Sequence, residues 1–425
     1  MGTYNFTRRD LCKVSSLAAA SLALPGCDFL NTKSSKTNKG QTGTMSSNYT
    51  IACYYFPDYH FDDARNIKLK GKNWSEWELV KNAKPRFKGH QQPKVPLWGY
   101  ESESDPVVMA KKIDAAADHC IDSFIFDWYW YEDGPFLERA LEQGFLKAPN
   151  NNRLKFSLMW ANHDWKDIHP RTIKVKPRIL YPGKISPEVF DKMTDYIIEN
   201  YFKHPSYWLI NGCPYFSIYH LKTLTLSFGN LDATAQALQH FREKTQKAGF
   251  AGLHLNAVSW GHQILPGEEV VKDAPQLIKY LGFDSVASYV WIHHVVLNEF
   301  PQTPYRYVMN EYFKYYNRAE EQFDVPYYPN VTMGWDASPR CNQLDPFLNK
   351  GYPFMPTMSG NTPEAFKEAL IRVKERLDQR PKEERIFNIN CWNEWTEGSY
   401  LEPDTVNKMA YLEAIKEVFC NEGSS

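Results

Sequence analysis

Apolar residues along this chain gather in short runs, and the stretches between them repeat apolar positions every three or four residues. Eight runs read as strands, at residues 51–56, 123–130, 155–163, 207–219, 253–260, 285–290, 328–335 and 386–392. The fourth is broken at Gly212-Cys213-Pro214 and reads as a strand or a hairpin. The intervening periodicity predicts helices over 106–119, 135–146, 187–202, 233–248, 273–281, 304–318 and 362–379, with a last one over 405–419. Asp105 before Pro106 and Thr362 before Pro363 are strong starts, a capping side chain followed by proline in the first turn.

Strand and helix alternating about eight times predict a parallel sheet, and eight units after residue 50 suit a closed α/β barrel. An open doubly wound sheet would carry a glycine-rich phosphate loop after its first strand. Pro57-Asp58-Tyr59-His60 stands there instead. The expected fold is a single (β/α)8 TIM barrel over residues 50–420 with long βα loops. Residues 71–93 form one such loop, too long for a plain connector. It is a lid or a subsite wall, with Trp74, Trp77 and His90 as candidate contacts, or a structural flap.

A barrel of this kind works at the C-terminal ends of its strands. Those ends carry Tyr54 and Tyr55, Asp127 and Trp128, Trp160, Asn162 and His163, Trp260, Tyr289 and Trp291, Trp335 and Asp336, then Trp392 and Asn393. Aromatic faces interleaved with hydrogen-bonding groups suit a sugar, whose C–H faces stack and whose hydroxyls need polar partners. All of these are candidate substrate contacts, with Trp128 and Trp260 as stacking platforms. The last strand runs into Asn393-Glu394-Trp395-Thr396-Glu397-Gly398. On a continuing strand Glu394 and Glu397 would face opposite ways, whereas a curled turn lets residues three apart share a face. Two buried carboxyls brought together perturb each other and suit acid–base work, which makes Glu394 and Glu397 the catalytic candidates.

Composition adds little to this except by exclusion. The chain has 425 residues and a formal net charge of -1, which gives no footprint for nucleic acid. Thirteen Trp, 26 Tyr and 25 Phe are compatible with an aromatic cleft as well as with core. His262, His293, His294 and Asp336 do not form a metal-ligand spacing, so neither a metal nor another cofactor is expected. Cys53, Cys213 and Cys391 lie in apolar runs and read as small core residues.

The leader changes the picture of where the protein works. Arg8-Arg9, the mildly apolar run 14–24 and Leu24-Pro25-Gly26-Cys27 resemble a twin-arginine export signal ending in a lipobox, with Cys27 as the lipidated residue. Residues 28–49 read as a flexible polar tether. The expectation is an exported bacterial lipoprotein, on the periplasmic or cell-surface side, that meets the membrane only through its lipid anchor. An oligo- or polysaccharide is the expected partner.

Trp74-Ser75-Glu76-Trp77, Pro93 through Tyr100, Phe124 through Trp130, and Trp392 through Gly398 followed by Leu401-Glu402-Pro403-Asp404 resemble the WbsX-type proteins, relatives of glycoside hydrolase family 99, the endo-α-mannosidases and endo-α-mannanases. The resemblance spans about residue 50 to 418 and implies a metal-free, retaining (β/α)8 enzyme. It implies that Glu394 is a base toward the sugar 2-hydroxyl, giving a 1,2-anhydro intermediate, and that Glu397 is the general acid/base at the glycosidic oxygen. Thr396 stands where family 99 commonly has His, so sugar and linkage do not carry over. Glu402 is expected as a supporting acid. Alternatives are a glycosyltransferase of polysaccharide biosynthesis and a non-catalytic glycan-binding lipoprotein.

Overall fold

The computed structural model describes residues 48–420. The export leader, the lipobox at Cys27 and nearly all of the tether lie outside the described residues. Eight parallel strands close a TIM barrel: β1 Thr50–Tyr55, β2 Ser123–Tyr131, β3 Lys155–Trp160, β4 Cys213–Ile218, β5 His254–Val258, β6 Ser285–Ala287, the two-part β7 Tyr327–Tyr328 and Asn330–Thr332, and β8 Ile386–Asn390. Pro329 divides β7, because proline cannot donate to a ladder. The first part pairs with β6 and the second with β8, so the barrel still closes. β8 in turn pairs with β1, Cys53 opposite Ile389.

Helices surround this barrel where the spacing predicts them, with shifted ends. Pro106–Ala117 and Pro363–Leu377 begin at the predicted caps, Asp105 accepting from the Val107 N–H and Thr362 from the Ala365 N–H. The element expected over 135–146 is different. Gly134–Phe136 folds back on β2 as a short antiparallel strand, and Ala140–Phe145 is a π-helical turn. The broken fourth run is a hairpin, Leu209–Ile210 against the start of β4.

The strands are buried on both faces, the pattern of a parallel barrel with helices outside and packed side chains inside. Successive side chains alternate between those two layers. Asp127 and Tyr129 therefore point into the barrel mouth while Trp128 and Trp130 stack on each other on the helix side. Cys53 and Cys391 are buried free thiols, as the apolar runs around them suggest, whereas Cys213, buried at the start of β4, is disulfide-bonded and not a free core thiol. Cys120, after the first outer helix, forms a disulfide with Cys420, after the last.

Candidate active site

The site is built on the turn that follows β8. Trp395–Glu397 is a single 3₁₀ turn with Glu394 at its N-terminal cap and Gly398 at its C-terminal one. Three residues per turn eclipse positions three apart, which brings Glu394 and Glu397 to one face. Gly398 has φ +63°, and a Cβ there would stand 2.7 Å from the Asp336 Cβ and 2.9 Å from its backbone nitrogen. The glycine thus lets the β7 and β8 loops touch, and the Asp336 N–H donates to the Glu397 carbonyl at 2.6 Å.

A buried polar layer fixes this turn from below. Glu402 accepts the indole N–H of Trp392 at 3.0 Å and of Trp395 at 2.7 Å, and Lys112 sits 2.6 Å from it and 2.7 Å from Glu103. Burial raises the Glu402 carboxyl above its ordinary pKa although Lys112 pulls it down. Asn393 Nδ2 donates to the Phe56 carbonyl and to Glu103, and its Oδ1 accepts the Phe56 N–H, tying β8 to β1.

Arg340, from the 3₁₀ turn Ser338–Arg340 after β7, gathers the acids. Its Nη1 donates to Glu397 Oε1 at 2.6 Å and its Nη2 to Glu394 Oε1 at 2.8 Å. Nη2 also reaches Glu76 at 3.1 Å, Nη1 bonds the Tyr352 hydroxyl, and the Phe56 ring lies 5.4 Å from the guanidinium carbon. Tyr352 donates to Glu397 Oε1 at 2.7 Å. Glu76, fully buried before the loop helix Trp77–Asn82, also accepts from Thr396. His169 lies 3.2 Å from Glu76, but burial and then the nearby Arg340 hold its ring neutral, so this is a polar contact and not an ion pair.

Among the described residues, all hydrogen bonds to Glu394 and Glu397 fall on Oε1, which leaves Oε2 of each, in a pocket-lining residue, without a partner there. Burial raises both carboxyls above their usual pKa, Glu394 well above it. Arg340 opposes the shift in each case, and Tyr352 opposes it further at Glu397. Acids this close share protons and titrate as a unit. Arg340 itself loses by burial, yet its carboxylate neighbours, Glu76 foremost, keep it charged.

The pocket above this cluster has an empty volume of about 740 Å³ including its open mouth. Six of the candidate residues line it together: Asp127, His163, Tyr289, Trp335, Glu394 and Glu397. The Tyr289 hydroxyl donates to Asp127 at 2.8 Å. Burial holds His163 neutral, with a pKa of about 4.

The other candidates lie elsewhere. Tyr54 packs beneath the pocket against Tyr289, with ring centroids 4.7 Å apart, while Tyr55 faces Lys112 on the helix side. Trp128 packs on Tyr201, Trp160 on Phe190 and Trp291 on Tyr312, all among helices and away from the pocket. Asn162 joins the β3 and β4 loops through the backbone of His220. Trp260 stands behind Tyr219, their rings stacked with centroids 5.8 Å apart. Trp392 and Asn393 belong to the supporting layer. Asp336 is taken by His90 at 2.8 Å and Gln92 at 2.7 Å; burial works against its charge, but these bonds outweigh it and lower its pKa. In the long first loop His90 thus holds Asp336, and Trp77 packs on Tyr59 and Trp395 in the core.

Arg340, Tyr352, Tyr129 and Tyr219 escape the sequence reading, because a lone loop arginine or tyrosine, or a tyrosine between two tryptophans such as Tyr129, carries no signal of its own. Glu76 stands in the Trp-Ser-Glu-Trp segment, where an acid beside the buried Trp77 is a clue to an internal partner. Among the described residues no group of three or more His, Cys, Asp or Glu is placed to hold a metal ion.

The fold recurs at low identity in solved structures. The endo-alpha-mannosidase of glycoside hydrolase family 99 from Bacteroides thetaiotaomicron shares it at TM-score 0.50 and 14% identity, covering 86% of this chain and 95% of that one. A protein described as glycoside hydrolase-like shares it at TM-score 0.54 and 13% identity, covering 90% and 97%. Two curated relatives from strains of Xanthomonas campestris pv. campestris, each called uncharacterized protein WxcX, are 26% identical over 390 residues. That match covers 87% of this chain, which spans about half the length of those relatives, 49% of each. The family model described as Glycosyltransferase WbsX matches residues 51–415, and the chain belongs to that family.

Proposed function

We propose that the protein is a retaining glycoside hydrolase that cleaves within an α-linked glycan. The observation that carries this is the pair Glu394 and Glu397, bound through Oε1 to adjacent nitrogens of Arg340 at the floor of a pocket lined by aromatics. Anchoring by the two ends of one planar guanidinium favours the short carboxyl separation of retaining enzymes, about 5–5.5 Å. In this reading Glu394 takes the proton of the sugar 2-hydroxyl as that oxygen closes on the anomeric carbon. Glu397 gives its proton to the departing glycosidic oxygen, and burial, which raises its carboxyl above the usual value, favours the protonated form that this role needs. Water then opens the 1,2-anhydro sugar with the same two groups reversing roles.

Export and lipid attachment at Cys27 are part of the proposal. The leader motifs support them, and so does the Cys120–Cys420 disulfide, a bond suited to an oxidising compartment. The test is incubation of the chain from about residue 46 onward with α-linked polysaccharides, including an α-mannan chosen for the activity named for the family 99 neighbour. Release of oligosaccharides by the wild type, reduced by about 10²–10⁴-fold in Glu394→Gln and Glu397→Gln with binding retained, is the expected result. Near-normal release by either variant refutes the assignment. The family description favours a second reading, glycosyl transfer, and turnover only with a nucleotide sugar would establish it. Binding without turnover would make the protein a glycan-binding lipoprotein.

A further inference from the structure

Asp127 is a third acid of the pocket, and its surroundings differ from those of the glutamates. It is 3% exposed and lines the pocket from β2. Oδ2 accepts the Tyr289 hydroxyl from beyond β6, across the barrel mouth, while Oδ1 is buried with no protein partner. Among the described residues no cation bonds to it. Arg340 spends its N–H groups on Glu76, Glu394, Glu397 and Tyr352. A buried carboxylate left with one neutral hydrogen bond and no counter-ion is costly, and such a group neutralises by keeping its proton.

The remaining neighbours agree with a neutral group. Cys53 and Tyr54 from β1, Cys391 after β8, and Tyr289 are thiols and phenols that burial keeps protonated. The charged groups nearby are Glu394, Glu397 and Arg340, of which the acids further disfavour a negative Asp127. Burial is the largest cause and raises the Asp127 pKa well above its usual value, against the lowering bond from Tyr289. Because the Tyr289 hydroxyl donates to Oδ2, the proton belongs on Oδ1, the oxygen with no partner.

Resting on the glycan-hydrolase reading, we propose that Asp127 touches the bound sugar and fixes its orientation by donating a hydrogen bond from Oδ1 to a sugar hydroxyl. Sites built around such a bond discriminate against analogues lacking the hydroxyl, because the buried group is then left unpaired. Asp127 is thus a specificity residue, distinct in role from the proton-transferring pair.

Two measurements test it. Infrared difference spectra of the ligand-free protein at pH 7, wild type minus Asp127→Asn, should show the carbonyl band of a protonated carboxyl, and an α-manno-oligosaccharide added to Glu397→Gln should shift that band. In hydrolysis of α-mannan, Asp127→Asn, which still offers an N–H donor, should lose less than tenfold in kcat/KM. Asp127→Leu should lose a hundredfold or more. A missing band, equal losses in Asn and Leu, or a Leu variant as active as wild type would each overturn the proposal. Failure of the wild type to cleave α-mannan counts against the hydrolase reading on that polymer, and the infrared bands then decide Asp127.

Discussion

Arg340 lends itself to a quantitative prediction because its partners are enclosed with it. Arg340→Met keeps much of the side chain's length and apolar stem but removes the charge that touches Glu76, Glu394 and Glu397. Breaking a buried ion pair by removing one partner costs about 3–5 kcal/mol. For a domain of this size the unfolding entropy scales to about 0.8 kcal/mol/K, so the melting temperature should fall by about 4–6 °C at pH 8. The loss should depend on pH with a definite sign. The folded pKa values of Glu394 and Glu397 already lie above the unfolded value, so the stability these groups favour is present in acid and declines as pH rises toward the folded value. Without Arg340 the folded values climb further, and the deficit should open only as pH rises through the wild-type folded values, above the ordinary glutamate range. Urea unfolding of both proteins between pH 5 and pH 8 measures it. A deficit of the same size at both ends would show that Arg340 acts through packing and not through the charges of the three glutamates. Adding Glu76→Gln to the Arg340→Met protein should recover part of the loss at pH 8.

Glu394→Gln should be more stable than wild type at pH 8 by about 1 kcal/mol, with the gain vanishing near pH 4, because the ionised acid is disfavoured in the fold; denaturant titration at the two pH values checks it. Gly398→Ala should cut turnover by more than tenfold and cost about 1–3 kcal/mol, since a left-handed φ and contact with the Asp336 backbone oppose the methyl group; activity and melting are the readouts. Trp128→Ala should cost about 3–5 kcal/mol in stability while leaving oligosaccharide affinity near wild type by calorimetry, as expected for a core residue. Paired Cys120→Ser and Cys420→Ser should lower stability by up to about 6 kcal/mol, the chain-entropy limit for so long a loop, measured by unfolding without reductant.

The barrel was legible because strands buried on both faces read as continuous apolar runs, and helices betray themselves by a different period. What the runs did not carry was phase. Trp128 and Trp160 are prominent in sequence, but Asp127, Tyr129, Met159 and Ala161 on either side of them face the pocket. A period of two says that neighbours diverge without saying which one goes inward. The Glu394–Glu397 turn was legible in outline, since Gly398 signalled the end of the strand and a three-residue spacing fits a tight turn. Its Arg340 partner was not. Loop residues have no period to follow, and the contacts of Arg340 with Glu76 and Glu397 span 264 and 57 positions. Only the closed barrel brings those loops to one mouth.

The bond between Cys120 and Cys420 divides the molecule into two parts with different fates under proteolysis. From β2 to the last helix the chain forms one covalent ring, 300 positions from cysteine to cysteine. A single cut in any loop of that ring yields two pieces that stay joined until reductant is added. The first long loop, which supplies Glu76 to Arg340, lies outside the ring. The Cys120–Cys420 bond does not bridge a cut there, because both cysteines lie on its C-terminal side. In a protease-rich setting, the segment of the site that this bond leaves unsecured against one nick is therefore the one that brings Glu76.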